Sequence, residues 1–297
     1  MKSTITQYLQ HLCGMEQVHI DEPLSRWTTF RVGGPADWLV TVPTKTALVR
    51  VLSALTYLEQ PYFILGTGAN VLASDAGYRG VVLKPTFHKI YHNDQFVYAD
   101  AGASLGAVVH YAAEHGLAGL AWATGIPASI GGAVYMNAGA FGGCMADVVV
   151  LVDVWDGTQV RTLTATELQF GYRTSALQHQ AWVVLGAYFK LEPGDTATIR
   201  ATMQNIAQKR VRHPQQPSAG STFRRPYDGF YVGHEIEQAG LAGYQIGGAQ
   251  VSPSHCGFIV NTGAATAADI RQLIDHVRTV IKDRTGVELT PEIVFLE

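Results

Sequence analysis

Glycine is the residue that most restricts this chain, because 31 of its 297 residues are glycine and they gather in loops. The first cluster is "GTGAN", Gly66, Thr67, Gly68, Ala69 and Asn70, directly after the apolar run "YFIL". Glycine admits positive φ angles and lets backbone N–H groups approach an anion closely. No Gly-Lys-Ser/Thr follows, so this is not a Walker loop. The spacing and the following strand-like residues also depart from a dinucleotide fingerprint that opens a helix. By itself the cluster reads equally as a tight turn. The second cluster is "TGIPASIGGAVYMNAGAFGG", 124–143, with glycines at 125, 131, 132, 139, 142 and 143. Two such loops close together predict a wrapped, elongated ligand with a diphosphate at its centre, and a dinucleotide fits.

Composition narrows the class. Hydrophobic residues make up 47% and charged residues 15%, as in a globular protein of two or three domains. Net charge is −3 with no long basic run, which argues against nucleic-acid binding. No segment has signal-peptide or membrane-spanning character, so a cytoplasmic protein is expected, with no membrane partner. Cys13, Cys144 and Cys256 have no metal-ligand spacing, and no metal is expected.

Periodicity predicts the elements. Ile5, Tyr8, Leu9 and Leu12 give a short amphipathic helix. Residues 28–42 read as two strands around a glycine turn. Thr44 caps a helix over 44–58 with Leu48, Val51, Leu52 and Leu55 on one face. Residues 62–74 read as a strand running directly into a glycine loop, strands are expected at 80–84, 96–100, 148–155, 158–163 and 182–191, and helices at 104–115 and 196–211. "EPGD", 192–195, reads as a boundary. Ile270, Leu273, Ile274, Val277 and Ile281 mark a helix over 267–284, and "EIVFLE" a final strand. The fold class is α+β.

Three polar positions carry candidate chemistry. In "GYRTS", Arg173 beside Tyr172 presents a fork suited to a carboxylate or enolate oxygen, or to a surface ion pair. In "LTPEIVF", Glu292 enters an apolar strand, either buried or at a solvated strand end. In "PSAGSTFRRP", Ser221 lies among small residues and lacks a nucleophile elbow. It reads as a turn residue or as a proton donor that substrate must approach closely, with Arg224 and Arg225 gripping an anion.

These motifs, in this order, resemble the UDP-N-acetylenolpyruvoylglucosamine reductase family from about Arg26 onward. The resemblance is carried by "TTFRVGGPAD", "GTGANVLASDAGYRGVV", the 124–143 segment, "GYRTS", "PSAGSTFRRP", "IEQAGLAGYQIGGAQVSPSHCGFIVN" and "LTPEIVF". It is similar to the shorter subgroup without a tyrosine-bearing lid insertion. The resemblance implies non-covalent FAD in a fold of the vanillyl-alcohol-oxidase type. Residues 1–85 and 86–194 are then its two subdomains, and 195–297 a substrate-binding domain. It implies NADPH as co-substrate and an oxidoreductase of peptidoglycan precursor synthesis, the chemistry behind cell-wall growth, cell shape and division. A hydride passes from flavin N5 to C3 of UDP-N-acetylglucosamine enolpyruvate, and a proton to C2 gives UDP-N-acetylmuramate.

Carried over by motif, Ser221 is the proton donor, while Arg173 and Glu292 polarise the substrate carboxylate. Gly66 to Asn70, Gly125, Ile126, Ser129, Gly131, Gly132, Asn137 and Gly139 hold the cofactor. Tyr172, Arg224, Arg225 and His255 meet the substrate, and Asn261 is a polar group on that side or a structural one. A monomer is expected. The chain departs from the family pattern at Ala69, where serine is usual, at Phe223-Arg224-Arg225-Pro226 in place of Phe-Lys-Asn-Pro, and in a shortened "RHPQQPSAG". Cys144 stands where glutamate is common and is expected to be inert toward flavin. Two other readings are another FAD oxidoreductase of this fold acting on a small alcohol or sugar, and a sugar-nucleotide-binding module without turnover.

Overall fold

Thr44 stops an apolar strand and starts a helix with one hydroxyl. Its Oγ1 accepts from the Ala47 N–H, and the Lys45–Tyr57 helix follows with Leu48, Val51, Leu52 and Leu55 buried. The same local logic recurs through the computed structural model, which describes residues 2–297. The chain divides into two compact units. One takes the residues up to Ile20, Trp38–Thr67 and Gly80–Val211, and the other takes Asp21–Asp37, Gly68–Arg79 and Arg212–Glu297.

The first unit is built on two sheets. One has the order Val18–Pro23, Pro35–Val42, Tyr78–Pro85, Tyr62–Ile64, and its first three strands run on across the unit boundary. Tyr62, Phe63 and Ile64 pair in parallel with Val81, Val82 and Leu83. The other has the order Val160–Thr164, Val149–Trp155, Val183–Lys190, Phe96–Asp100, Ile90–Asn93, antiparallel throughout. The helices Lys45–Tyr57 and Leu105–Glu114 share one apolar core with these strands. The amphipathic helix at the start forms over Lys2–Cys13, with Ile5 and Leu9 buried and Tyr8 exposed.

The second unit has an antiparallel sheet of order Ser218–Ser221, Phe258–Asn261, Ala249–Val251, Gln245–Ile246. The Ala267–Thr285 helix packs on it through the expected face: Ile270, Leu273, Ile274, Val277 and Ile281 are all buried. Thr266 and Asp269 form a capping box at its start, and the Asp75 carboxylate accepts from the N–H groups of Ala267 and Ala268. Val294–Leu296 pairs in parallel with Val71–Ala73.

Several expectations need correction. Residues 28–31 form a turn and not a strand: Thr28 Oγ1 donates to the Val32 carbonyl at 2.9 Å, and Arg31 takes φ +57°. The strand expected to run into the glycine loop forms over Tyr62–Ile64, and a second strand, Val71–Ala73, follows the loop. The 124–143 segment contains a helix, Ile130–Tyr135. "EPGD" closes a small strand pair with Leu117 and Ala118, Asp195 caps the next helix, and the first unit continues to Val211. Among the described residues no helix is long and apolar enough to cross a membrane.

Ile274 is 1% exposed at the centre of the second core. Ile274→Ala should cost about 2–5 kcal/mol, read as a lower urea midpoint in far-ultraviolet circular dichroism. A change below about 0.5 kcal/mol, the usual size for a surface position, would contradict this packing.

Candidate active site

The first glycine loop is fastened through its carbonyls and side chains, not through its N–H groups. Leu65 N–H makes the last sheet bond, to the Leu83 carbonyl. After it, none of the backbone N–H groups of residues 66–70 goes to an acceptor among the described residues. Lys84 Nζ donates to the Gly66 carbonyl at 2.6 Å, and Thr67 Oγ1 to the Pro127 carbonyl at 2.6 Å. A Cβ on Gly66 would run into Ser129 Oγ, so this loop lies directly on the second glycine segment.

Past Thr67 the chain enters the second unit. There the Gly68 carbonyl accepts from both N–H and Oγ1 of Thr29, at 3.2 Å each. Asn70 Nδ2 donates to the Glu292 carbonyl at 3.0 Å, and the Asn70 carbonyl accepts from Val294 N–H at 2.9 Å. Gly68 has φ +72°, and a Cβ there would overlap the Trp27 carbonyl oxygen. Ala69 presents only a methyl group. The run of unused donors is the arrangement that receives a phosphate.

In the second segment, Ser129 is buried and its Oγ accepts from Gly132 N–H at 3.3 Å, which starts the Ile130–Tyr135 helix. Gly131 N–H goes to the Ala101 carbonyl at 2.9 Å and Ile126 N–H to Ala123 at 3.1 Å. These amides are therefore engaged inside the protein, and a Cβ on Gly131 would press on Ala101, 3.2 Å from its Cβ. Asn137 is also committed. It is buried at φ +42°, donates to the Gly171 carbonyl at 2.8 Å and accepts from Ala146 N–H at 2.9 Å.

Arg173 sits in a turn closed by reciprocal Gly171–Thr174 backbone bonds. Its φ is +57°, a strained value for a side chain of this size. The strain aims the guanidinium: Nη2 donates to the Gly139 carbonyl at 2.8 Å, and the group lies 5.0 Å from the exposed Tyr172 ring. Gln178 Nε2 holds the Arg173 carbonyl at 3.1 Å. The first unit thus joins Arg173, Tyr172, Asn137 and Gly139 in one cluster.

In the second unit Ser221 and Glu292 are neighbours across two antiparallel stretches. Glu292 N–H donates to the Thr222 carbonyl at 2.8 Å, Phe223 faces Pro291, and Arg224 N–H donates to the Thr290 carbonyl at 2.9 Å. Ser221 is exposed at the end of its strand. The preceding Gly220 has φ +74° with open space where a Cβ would be. Arg224 is half-buried and its Nε has no partner, whereas Arg225 is exposed, 3.8 Å from Asp228 and stacked 5.5 Å from Tyr231. The two arginines therefore have different surroundings.

His255 is half-buried, edge-on to His213 and Phe258, and Nδ1 accepts from Gly257 N–H. Burial pulls its pKa down, which favours the neutral ring. Asn261 is structural: it is buried, donates to the Phe30 carbonyl and accepts from Gly263 and Ala265 N–H. Burial, then Asp147, pushes the Cys144 thiol upward, so it carries little thiolate. Sequence reasoning missed Lys84 and Thr29. The signal for Lys84 was a lysine ending the apolar strand "GVVLKP"; Thr29 gave none, because its bond depends on a distant loop.

Comparison with known proteins matches residues 36–163 to a model described as FAD binding domain. Residues 212–296 match the model described as UDP-N-acetylenolpyruvoylglucosamine reductase, C-terminal domain. A UDP-N-acetylenolpyruvoylglucosamine reductase of Caldanaerobacter subterraneus subsp. tengcongensis is 42% identical over 99% of this chain and 98% of its own length. The crystal structure of the corresponding enzyme of Thermus caldophilus superposes with a TM-score of 0.82 at 34% identity, covering 94% of this chain and all of that one. A variant of Phl p 4, a glucose oxidase, shares the fold alone, at TM-score 0.51 and 13% identity over 74% of this chain and 51% of its own.

Gly68→Val should lose bound FAD, with affinity falling at least about tenfold, because the side chain overlaps backbone that fixes the loop. The visible flavin band of the purified variant measures this, and full retention of the band would contradict the role given to the loop. At 42% identity along nearly its whole length, the chain belongs to the UDP-N-acetylenolpyruvoylglucosamine reductase family.

Proposed function

We propose that this chain reduces UDP-N-acetylglucosamine enolpyruvate to UDP-N-acetylmuramate with NADPH, as a monomer in the cytoplasm. Residues 1–85 and 86–194 hold the cofactor, each half centred on one sheet, and 195–297 supplies substrate groups. The residues present fit FAD: the unused N–H groups of 66–70 suit its diphosphate, and the exposed Gly132 leaves room for a ligand beside the second segment. Gly125, Ile126, Ser129, Asn137 and Gly139 shape the same cradle, the last three mainly by positioning it. The chemistry supplied by bound FAD is hydride transfer, taken from NADPH and given to C3 of the enol ether.

The protein's own groups complete the reaction. Hydride addition at C3 leaves the electron pair of the double bond at C2, delocalised into the substrate carboxylate. Arg173, and Glu292 as the protonated acid donating its O–H, hold that carboxylate and stabilise the charge developing on it, commonly the largest catalytic contribution. Ser221 Oγ–H then gives its proton to C2 and recovers one from solvent. The open space beside Gly220 gives substrate access to the hydroxyl. Arg224, with an unpartnered buried Nε, grips a phosphate or carboxylate, and Tyr172, Arg225 and His255 line the approach. The observation that carries this reading is the exposed Ser221 beside Glu292, tied by the bond from Glu292 N–H to the Thr222 carbonyl.

Ser221→Ala should let NADPH bleach the flavin at the normal rate, while reoxidation by the sugar nucleotide slows about 10²–10⁴-fold, the usual contribution of a positioned acid. Stopped-flow absorbance separates the two steps, and normal reoxidation would remove Ser221 from the mechanism. Arg173→Lys keeps the charge but not the fork and should lower kcat about 10²–10³-fold, as for loss of one oxyanion donor. A change in KM alone would show that Arg173 only binds.

A further inference from the structure

The Thr196–Lys209 helix ends on an arginine whose charge has no partner. Arg210 closes the helix with its backbone N–H. Its side chain is another matter: Nε and Nη2 are shut off from solvent, and neither donates a hydrogen bond. Burial lowers its pKa, and no acidic neighbour counters this. A guanidinium nevertheless keeps its charge. Buried charged donors without acceptors are destabilising, and their presence in a native fold calls for a partner that arrives from outside the chain.

The surroundings say what kind. A Cβ on Gly125 would sit 2.8 Å from Arg210 Cδ and 3.3 Å from Nε, so the side chain lies against Gly125. The guanidinium is 5.0 Å from the Phe141 ring, and Lys209 Nζ is 5.9 Å from the same ring. Gly125 and Phe141 both belong to the 124–143 segment, and all four residues are in the first unit. Two cations thus converge on the glycine segment. Guanidinium forks match phosphate oxygens, and an aromatic beneath the cation fixes its plane.

We propose that Arg210 is a phosphate-binding residue for a nucleotide seated along residues 124–143, its free Nε and Nη2 meeting phosphate oxygens. This rests on the proposed function, which requires three phosphate-bearing molecules: FAD, NADPH and the sugar nucleotide. The shared chemistry is the phosphate oxygen, and the experiment identifies its source.

Holoenzyme carrying Arg210→Gln or Arg210→Lys is measured in three ways: FAD release on dilution by flavin fluorescence, and calorimetric titration with UDP and with 2′,5′-ADP. Arg210→Gln should weaken one of these at least about tenfold, as expected for a lost charge-assisted pair. The affected probe names the source. Arg210→Lys should recover only part of the loss, because an ammonium lacks the fork. All three affinities within about twofold of the wild type would overturn the proposal. Should Arg210→Gln fail to fold, judged by circular dichroism, the lysine variant decides alone: unchanged affinities overturn the assignment and one selectively weakened probe upholds it. A wild-type enzyme whose reduced flavin is not reoxidised by the sugar nucleotide would defeat the functional reading. The binding constants would still judge Arg210.

Discussion

Five consecutive backbone N–H groups, at 66–70, without an acceptor among the described residues are the constraint on which this molecule turns. Unmade donors destabilise a fold when water cannot reach them, so a loop that keeps them free must be held some other way. Residues 66–70 are held from the opposite side of the peptide plane. Lys84 takes the Gly66 carbonyl, Thr29 takes that of Gly68, and Val294 takes that of Asn70. Thr67 and Asn70 add side-chain anchors at Pro127 and Glu292. The carbonyl contacts hold the loop and leave its donors unused.

The same residues link the end of the glycine loop to Glu292 and Ser221 within the second unit. Asn70 bonds to the main chain at Glu292 and Val294, and Glu292 bonds to Thr222, next to Ser221. A substitution that shifts Asn70 therefore also shifts Glu292 and Ser221. In the first unit, Arg173 plays the corresponding part by strain, since its left-handed backbone directs the guanidinium to the Gly139 carbonyl. The backbone conformation and this bond fix the orientation of a side chain that would otherwise have many rotamers.

What the sequence revealed follows from the range of the forces involved. The Ala267–Thr285 helix was legible because its apolar period and its cap are local. The Lys45–Tyr57 helix was legible for the same reason. Residues 28–31 were misread because β-branched and aromatic residues suggest a strand, whereas the Thr28–Val32 bond and the left-handed Arg31 fold them into a turn. The Ile130–Tyr135 helix was hidden by glycine, a poor helix former, and exists through the Ser129 cap and the burial of Ile130, Ala133 and Val134. Ser221, Glu292 and Arg173 stood out as motifs, but nothing local revealed that Asn137 and Asn261 are spent inside the fold. Arg210 was concealed in the basic run "KRVR", where each cation looks equally solvated.

The most direct test of the account is an anaerobic visible spectrum of the purified wild-type protein. NADPH is added first and UDP-N-acetylglucosamine enolpyruvate second. The account predicts a flavin band that bleaches with NADPH and returns with the sugar nucleotide, in equal amounts. A band that bleaches and stays bleached would contradict the substrate assignment, and a protein that binds no flavin even after FAD is added would contradict the account at its foundation.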